Sequence, residues 1–347
     1  MIPFVSSIIF PMTFLVFLIP NLIYVYEKFI YILEKLNLIF STIDFLEFVF
    51  LKPCIIMVFI YFIIIIYSFY NKKILVLVLI FLVIHKFLPN LDRSYFITIL
   101  DVGQGDSIFL KMPYNNGNIL IDTGGVIDNK IKNKITNNKL IPYFYYLGIT
   151  KLDYLILTHG DYDHMGEAIN LVNNFKVEKV IFNCGEFNEF EQELIQVLDR
   201  KKIKYYSCIK ELNIDKNKLY FLQIKEYDNE NDNSNVIYTE LNGYKFMFMG
   251  DASVTTEKEI INKYKLPDID VLKVGHHGSR TSSDKNFINE INPKYSIISV
   301  GKNNRYGHLN KEVLENLKES KIYRTDEDGS IMFKIKNNKL NIVIYIL

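Results

Sequence analysis

The chain has 347 residues, 49% of them hydrophobic, with 40 Lys and Arg against 39 Asp and Glu. This length is enough for two domains of ordinary size. A formal net charge of +1 excludes a protein that holds nucleic acid by its overall charge, so any DNA binding must come from a local patch.

The first quarter of the chain has the composition of a membrane-embedded segment. Residues 2–26 carry no charged side chain and are long enough to cross a bilayer, although their three prolines predict a kinked or broken helix. Residues 53–71 and 74–89 give two more apolar spans. Residues 27–52 alternate charged and apolar side chains, which predicts an amphipathic helix on the membrane or against a partner.

We therefore predict a transmembrane region over residues 1–91. Lys72 and Lys73 fill the tight turn between the last two spans. The excess of basic residues in cytoplasmic loops places this turn in the cytoplasm, so residue 92 onward is expected to be extracytoplasmic.

From residue 92 the composition changes to an α/β pattern. Short apolar runs such as SYFITIL, LDYLIL and YKFMFMG alternate with helical stretches such as EFEQELIQVLDRKK. This alternation predicts a layered α/β domain over residues 92–347. The three cysteines have no CxxC spacing, and a disulfide between Cys184 and Cys208 is less favoured than buried free thiols.

Polar loops follow the apolar strands and carry most of the chemistry. The segments are DVGQGDS, IDTGG, THGDYDH, MGDAS, GHHGS and YGHL. Loops at strand ends are where a rigid sheet commonly presents functional groups.

The segment THGDYDH is the strongest signal for a metal site. Its spacing can place His159 and Asp161 on one ion and Asp163 and His164 on a second, with ligand atoms that suit Zn²⁺, Mn²⁺ or Fe. Asp251 in MGDAS can bridge two cations. The alternative for these aspartates is a helix N-cap in a surface loop.

Two adjacent histidines occur in GHHGS. Neighbouring side chains usually diverge, so at most one of His276 and His277 is expected to touch a given ion, while the other hydrogen-bonds the substrate or a ligand. We take Asp163, His276 and His277 as the catalytic candidates. His308 in YGHL is a candidate only because the other motif segments are present in the same domain.

The ordered set DVGQGDS, ILIDTGG, THGDYDHMGE, FMGD, VLKVGHHGS, SVGKNNRYGH and YRTDEDGS resembles the metallo-β-lactamase-like domain of ComEC-type DNA-internalisation competence proteins. The resemblance covers about residues 92–347. The N-terminal spans look like the tail of that family's membrane channel domain. Most of the channel is missing from this sequence, which suggests a truncated or split member or a piece of a longer reading frame.

The resemblance implies an αββα sandwich preceded by an all-α transmembrane segment, and a membrane-anchored, metal-dependent phosphodiesterase acting on DNA during uptake. Its ligand motif falls on His159, Asp163 and His164, and its bridging aspartate on Asp251. Asp122 matches the buried aspartate that supports the metal loop by hydrogen bonds. The last histidine ligand is best matched by His308, with His276 as competitor.

Two departures from the family pattern bear on the metal. Asp161 stands where the common motif has a histidine, and this oxygen ligand favours Mn²⁺ or Mg²⁺ more than an all-imidazole site would. The histidine expected before the strand at 235–241 is also missing, since the loop NENDNSN offers Asn231, Asp232, Asn233 and Asn235. We therefore expect one or two divalent ions, Zn or Mn, with a weakened first position.

The expected partners are DNA, the membrane, and a separate channel subunit with other competence proteins. Four basic residues in the same segments are candidates to hold flanking phosphates: Lys273, Arg280, Lys302 and Arg305. Three alternatives stay open, namely a hydrolase of a small ester, nucleotide or lactam, a non-catalytic DNA-binding module of a split channel, and a transport subunit with a vestigial soluble domain.

Overall fold

The structure is a computed structural model that describes residues 2–41, 48–125, 134–222, 225–302, 304, 307 and 309–345. The chain forms two compact units, residues 1–49 and residues 50–347. Each unit is described separately.

The first unit consists of two helices, α1 (Ile2–Leu18) and α2 (Ile23–Ser41). They are joined by a single 3₁₀ turn, Pro20–Leu22. The hydroxyls of Thr13 and Tyr26 lie 2.9 Å apart and link the two helices. The uncharged stretch at 2–26 is therefore divided between two helices, and the break comes at a proline, which lacks the amide donor that a continuous helix needs.

The second unit begins with a helical hairpin of α3 (Ile55–Tyr70) and α4 (Leu75–Phe87). The side chain of Asn71 caps the turn between them by accepting a hydrogen bond from the amide of Lys73 at 3.0 Å. Among the described residues, one helical stretch, Lys72–Leu91, is long and apolar enough to cross a membrane, and Ile9–Leu18 and Ile55–Tyr70 are apolar but shorter.

A buried histidine ties this hairpin to the segment before it. The ring of His85 is 3.0 Å from the hydroxyl of Tyr61 through Nδ1 and 2.8 Å from the carbonyl of Leu51 through Nε2. The amide of Lys52 in turn donates to the carbonyl of Tyr146 in the α/β part, at 3.0 Å. Both ring nitrogens of a side chain that is 3% exposed thus have partners, as buried polar groups require.

The α/β part is built on two large sheets and one small one. Their strands are β1 Tyr95–Ile99, β2 Ile108–Lys111, β3 Asn118–Ile121, β4 Lys151–Leu152, β5 Tyr154–Ile156, β6 Lys176–Val177, β7 Lys179–Phe182, β8 Lys204–Ser207, β9 Glu211–Ile214, β10 Asn217–Phe221, β11 Ile237–Leu241, β12 Tyr244–Phe248, β13 Val271–Lys273, β14 Tyr295–Ile298, β15 Lys321–Arg324, β16 Ser330–Lys336 and β17 Lys339–Tyr345. The first sheet has the order β17-β16-β1-β2-β3-β5-β7-β8, the second β15-β14-β13-β12-β11-β10-β9, and the third pairs β4 with β6.

Eight helices of the described chain accompany these sheets. They are α5 Ile141–Tyr146, α6 Tyr162–Met165, α7 Ala168–Asn174, α8 Glu189–Lys201, α9 Val254–Lys263, α10 Lys285–Ile291, α11 Lys311–Asn316 and α12 Thr325–Asp328. Side chains of α5, α7 and α8 pack on the outer face of the first sheet, and side chains of α9, α10 and α11 pack on that of the second.

The central core lies between the two large sheets. Strand residues alternate in direction, so Phe246 and Phe248 of β12 enter the central core while Met247 packs under the helices. Both faces of each sheet are therefore apolar, which explains the near-continuous hydrophobic runs in the sequence. Burial of one such side chain contributes about 2–3 kcal/mol. The predicted αββα sandwich is confirmed.

The topology brings the polar loops together at one edge. Strands β3, β5 and β7 run parallel in the first sheet, and β12, β13 and β14 run parallel in the second. The loops that follow β3, β5, β12 and β13 contain IDTGG, THGDYDH, MGDAS and GHHGS. The carboxyl ends of parallel strands are the usual place for a binding crevice in α/β proteins.

The prediction of free thiols at Cys184 and Cys208 is wrong, because the two residues form a disulfide. They follow β7 and β8, which are adjacent parallel strands with Phe182 opposite Ser207. This register brings the two Cα atoms to 4.5 Å, within the range that a disulfide spans. The sequence separation of 24 residues gave no hint of this pairing.

The disulfide gives a test of stability. Cys184→Ser with Cys208→Ser is expected to lower the free energy of unfolding by about 3 kcal/mol, because the unfolded chain regains the entropy of a closed loop. Urea unfolding followed by circular dichroism measures the change, and Cys54→Ser, a free and exposed thiol, is the control. Equal stability of the double serine variant and the wild type would contradict the structural role of this bond.

Candidate metal centre

Asp122 supports the loop that follows β5. Its carboxylate accepts hydrogen bonds from the amide of Thr158 at 2.8 Å, from the Thr158 hydroxyl at 2.7 Å and from Nδ1 of His164 at 2.8 Å. Asp122 is 1% exposed and has a φ of +58°, a conformation that aspartate tolerates better than most residues. The hydrogen bond to Nδ1 leaves Nε2 of His164 as the nitrogen that faces the crevice.

Four side chains from three loops converge in that crevice. One ligand atom from each of Asp163, His164, Asp251 and His277 lies within 4.8 Å of the others. Nε2 of His164 is 3.1 Å from Oδ1 of Asp251, and Nε2 of His277 is 3.2 Å from Oδ2 of Asp163. The two sheets each supply two members, so the cluster exists only in the closed sandwich.

The cluster fits a divalent metal ion. Nε2 of His164 and Oδ1 of Asp251 are buried, and apart from their mutual approach at 3.1 Å neither makes a well-aligned hydrogen bond to the described residues. Unpaired buried polar atoms are costly unless a ligand satisfies them. Two imidazole nitrogens and two carboxylate oxygens form a donor set that suits Zn²⁺ and Mn²⁺.

The electrostatics of the crevice favour bound positive charge. Burial by itself lowers the pKa of His277, but Asp251, Asp106 and Asp163 around it raise that pKa to about 10. Burial likewise opposes a charge on His164, yet Asp251 and Asp122 raise its pKa well above the usual value. The carboxylates around the two histidines therefore favour positive charge in the crevice.

The first half of THGDYDH contributes less to this cluster. His159 is fully buried, and its Nε2 has no hydrogen-bond partner among the described residues, while Asp161 is about half-exposed with Oδ2 at 3.5 Å from that nitrogen. Asp161 is the residue before α6 but makes no capping hydrogen bond through its side chain. His159 and Asp161 therefore form an open pair beside the four-residue cluster.

Ser234 stands where the missing histidine of the loop NENDNSN was expected. Its hydroxyl accepts from the amide of Asp251 at 3.0 Å and lies 3.3 Å from Nδ1 of His159. Asp232, by contrast, accepts hydrogen bonds from the Ser253 amide and the Thr256 hydroxyl at the start of α9. The loop thus orients residues of the site and adds no third ligand to the open pair.

The two histidines of GHHGS have different positions. His277 belongs to the cluster and is 1% exposed, whereas the side chain of His276 is 24% exposed and its Nε2 is 3.8 Å from Oδ2 of Asp251. Both have positive φ, 45° and 52°, a strained conformation for a residue with a Cβ. Burial lowers the pKa of His276 more than Asp251 raises it, so a neutral ring at the rim is available to contact a substrate.

The four residues predicted to hold phosphate differ in their exposure to solvent where the structure describes them. Lys273 is fully buried and its ammonium is 2.6 Å from the carboxylate of Asp106, so it does not reach a substrate from the surface. Arg280 and Lys302 are exposed. Arg305 and His308 lie outside the described residues.

The sequence analysis named His277 with His276 as a catalytic candidate, left open which of them touches an ion, and did not single out Asp106 or Ser234. Asp106 is the second of two acidic residues in DVGQGDS, and Ser234 carries the one hydroxyl in NENDNSN. The signal for both was a polar residue inside a motif. The packing of the two sheets brings Asp106 to Lys273 and His277 and brings Ser234 to His159, whereas Ser234 also contacts Asp251 within its own sheet.

Metal affinity is expected to rise with pH. His277, with a pKa near 10 in the ion-free protein, must lose its proton before Nε2 can bind an ion, so protons and metal compete. Titration of Mn²⁺ by calorimetry at pH 6.5, 7.5 and 8.5 should show tighter binding at each step, with proton release. His277→Gln should reduce this dependence and leave the part due to His164, and a pH-independent affinity in the wild type would contradict the assignment.

Comparison with known proteins agrees with this geometry. A family model described as the metallo-beta-lactamase superfamily matches residues 100–302. ComE operon protein 3 of Bacillus subtilis (strain 168) is 34% identical over 272 residues, which cover 74% of this chain and 35% of that protein. Competence protein ComA of Neisseria gonorrhoeae is 29% identical over 245 residues, which cover 68% of this chain and 32% of that protein.

The chain spans about a third of the length of these curated relatives. Among solved structures, the metallo-beta-lactamase fold protein YhfI from Bacillus subtilis is similar with a TM-score of 0.46 at 12% identity, over 70% of this chain and all of that one. The relatives confirm the resemblance to ComEC-type competence proteins. By its matched residues, its αββα sandwich and its cluster of His and Asp ligands, the chain belongs to the metallo-β-lactamase superfamily.

Proposed function

We propose that this protein is a membrane-anchored, metal-dependent phosphodiesterase that cleaves DNA during DNA uptake. The convergence of Asp163, His164, Asp251 and His277 in one crevice, with two buried ligand atoms that lack a well-aligned hydrogen bond, carries the proposal. The similarity to competence proteins favours DNA as the substrate. The open rim beside the cluster suits an extended polymer better than a closed pocket would.

The chain's own residues have separable tasks in this reaction. Asp163, His164, Asp251 and His277 would hold the ion, and Asp122 keeps Nε2 of His164 aimed at it. A bound divalent ion supplies Lewis-acid activation of water and offsets negative charge on the phosphate.

The rim residues would contact the substrate. His276 is partly exposed next to Asp251, and Thr281 holds its Nδ1 at 3.0 Å, so its Nε2 points toward the site. From there it can donate a hydrogen bond to a phosphate oxygen or to the leaving group. Arg280 and Lys302 follow β13 and β14 and are exposed, which suits contacts to flanking phosphates.

Membrane anchoring and an extracytoplasmic position of the hydrolase domain are each supported by one feature. The helix Lys72–Leu91 leads directly into β1, which starts at Tyr95. The Cys184–Cys208 disulfide is typical of an oxidising compartment. The membrane, a separate channel subunit and other competence proteins are the partners that we propose.

Removal of a ligand tests the proposal. Asp163→Ala and Asp251→Ala are expected to reduce cleavage of DNA to background while the domain still folds, because each leaves the ion with too few ligands. The full chain in detergent should be assayed on single- and double-stranded DNA with Mn²⁺, Zn²⁺, Mg²⁺ or EDTA. Glu315→Gln, an exposed side chain paired with Lys318, is the matched control.

The outcomes separate the remaining functions. Cleavage of small diesters or lactams with DNA left intact would establish a small-substrate hydrolase. DNA binding without cleavage under any metal would establish a non-catalytic module. Near-normal activity of Asp163→Ala would show that the cluster is not the active centre.

A second test concerns His276. His276→Ala is expected to lower kcat by about 10²–10³-fold, the usual effect of losing a hydrogen bond to developing charge. Mn²⁺ affinity should stay unchanged, since His277 and not His276 belongs to the cluster. His276→Gln retains a donor and should recover part of the rate, whereas a parallel loss of metal affinity in both variants would make His276 a ligand instead.

A further inference from the structure

A buried ion pair lies directly behind the metal centre. Lys273 is 0% exposed and Asp106 is 1% exposed, with Nζ and Oδ2 2.6 Å apart. Nζ also donates to the carbonyl of Val274 at 2.9 Å. A buried ion pair is weak evidence for stability, because the cost of removing two charges from water offsets most of their attraction. The position of the pair suggests another purpose.

Asp106 faces the far side of His277. Its Oδ1 is 3.5 Å from Nδ1 of His277, and the carbonyl of Ser299 accepts a hydrogen bond from the same nitrogen at 3.0 Å. The Ser299 carbonyl fixes the proton on Nδ1, and the Asp106 carboxylate lies close behind that nitrogen without a well-aligned hydrogen bond. Nε2, the other ring nitrogen, is then the one that faces Asp163 and Asp251.

The arrangement is similar to the one behind His164, with a longer contact. Asp122 accepts a hydrogen bond from Nδ1 of His164 at 2.8 Å, and Asp106 lies behind Nδ1 of His277 at 3.5 Å. Each histidine of the cluster thus has a carboxylate behind it, and these two carboxylates come from loops of the first sheet. A carboxylate behind a ligating histidine orients the ring and makes it a better ligand.

The loop that carries Asp106 also contacts a third ligand. The amide of Asp106 donates to the carbonyl of Asp163 at 3.2 Å. A side chain at Gly105, which has a φ of +129°, would collide with that same carbonyl oxygen. The glycine of DVGQGDS therefore lets the loop pack against the backbone of Asp163.

Lys273 is the cation that compensates Asp106. Burial alone would raise the pKa of Asp106, but Lys273 and then His277 bring it below its usual value. The Asp106 carboxylate therefore stays charged whether or not an ion is bound in the crevice.

We propose that Asp106 and Lys273 are positioning residues for the metal ligand His277, with Lys273 acting through Asp106. This inference rests on the metal-binding role of the site, which is part of the proposed function. Neither residue touches the ion or the substrate. Their effect is expected in metal affinity, before any chemistry occurs.

Two double variants of the full chain separate positioning from simple stability. Asp106→Leu with Lys273→Met removes both charges and the carboxylate behind Nδ1, and leaves the Ser299 carbonyl in place. Asp106→Asn with Lys273→Met removes both charges but keeps an acceptor oxygen. Replacement of a whole buried ion pair by groups of similar volume is often neutral for folding, so thermal unfolding should change little in either.

Mn²⁺ binding by calorimetry is the decisive measurement. The Leu/Met variant is expected to bind Mn²⁺ about 10–100-fold more weakly than the wild type, and the Asn/Met variant to stay within about threefold. Lys218→Met with Glu211→Gln, an exposed ion pair on β9 and β10, is the control and should not change affinity.

Wild-type affinity in a folded Leu/Met variant would overturn the inference. Equal losses in both double variants would assign the effect to the missing charges and would overturn it as well. If the Leu/Met variant does not fold, the single variant Lys273→Met is the test. An unchanged Mn²⁺ affinity in that variant would contradict a role of Lys273 through Asp106. A wild type that binds Mn²⁺ but cuts no DNA leaves this inference intact and removes only the proposed nuclease activity.

Discussion

The metal centre depends on the close approach of several carboxylates in a region that is largely closed to water. Asp106, Asp122 and Asp251 are buried, and Asp163 is partly so. Like charges at this spacing repel strongly where the dielectric constant is low. The arrangement is stable only because positive charge is interleaved with it, from Lys273, from the two histidines when protonated, or from a bound ion.

This constraint explains why the cluster is shared between the two sheets. Asp163 and His164 follow β5 of the first sheet, while Asp251 and His277 follow β12 and β13 of the second. Neither sheet alone supplies all four residues of the cluster. The site is therefore complete only when the two sheets are packed together. The large central core, with residues such as Phe246 and Phe333 in contact, supplies the free energy that holds the charged groups together.

Local strain is concentrated at the same edge. His276, His277 and Asp122 all adopt positive φ, which costs on the order of 1–2 kcal/mol for each residue. Their hydrogen bonds, such as the one from the amide of His276 to the carbonyl of Gly250, hold these conformations. The result is that His277 faces the ion position and its neighbour His276 faces the rim.

The sequence by itself determined the succession of strands and polar loops along the chain, the αββα class through its family resemblance, and three of the four residues in the candidate cluster. Asp163, His164 and Asp251 were readable because they belong to short segments that follow apolar strands, and residues close in sequence keep fixed relative positions. Tertiary structure alone decided the rest. His277 rather than His276 joined the cluster because of its backbone conformation, Lys273 turned inward because Asp106 lies opposite it, and Cys184 met Cys208 because β7 and β8 are neighbours in register. Each of these depends on contacts between distant segments, and sequence patterns describe only near neighbours along the chain.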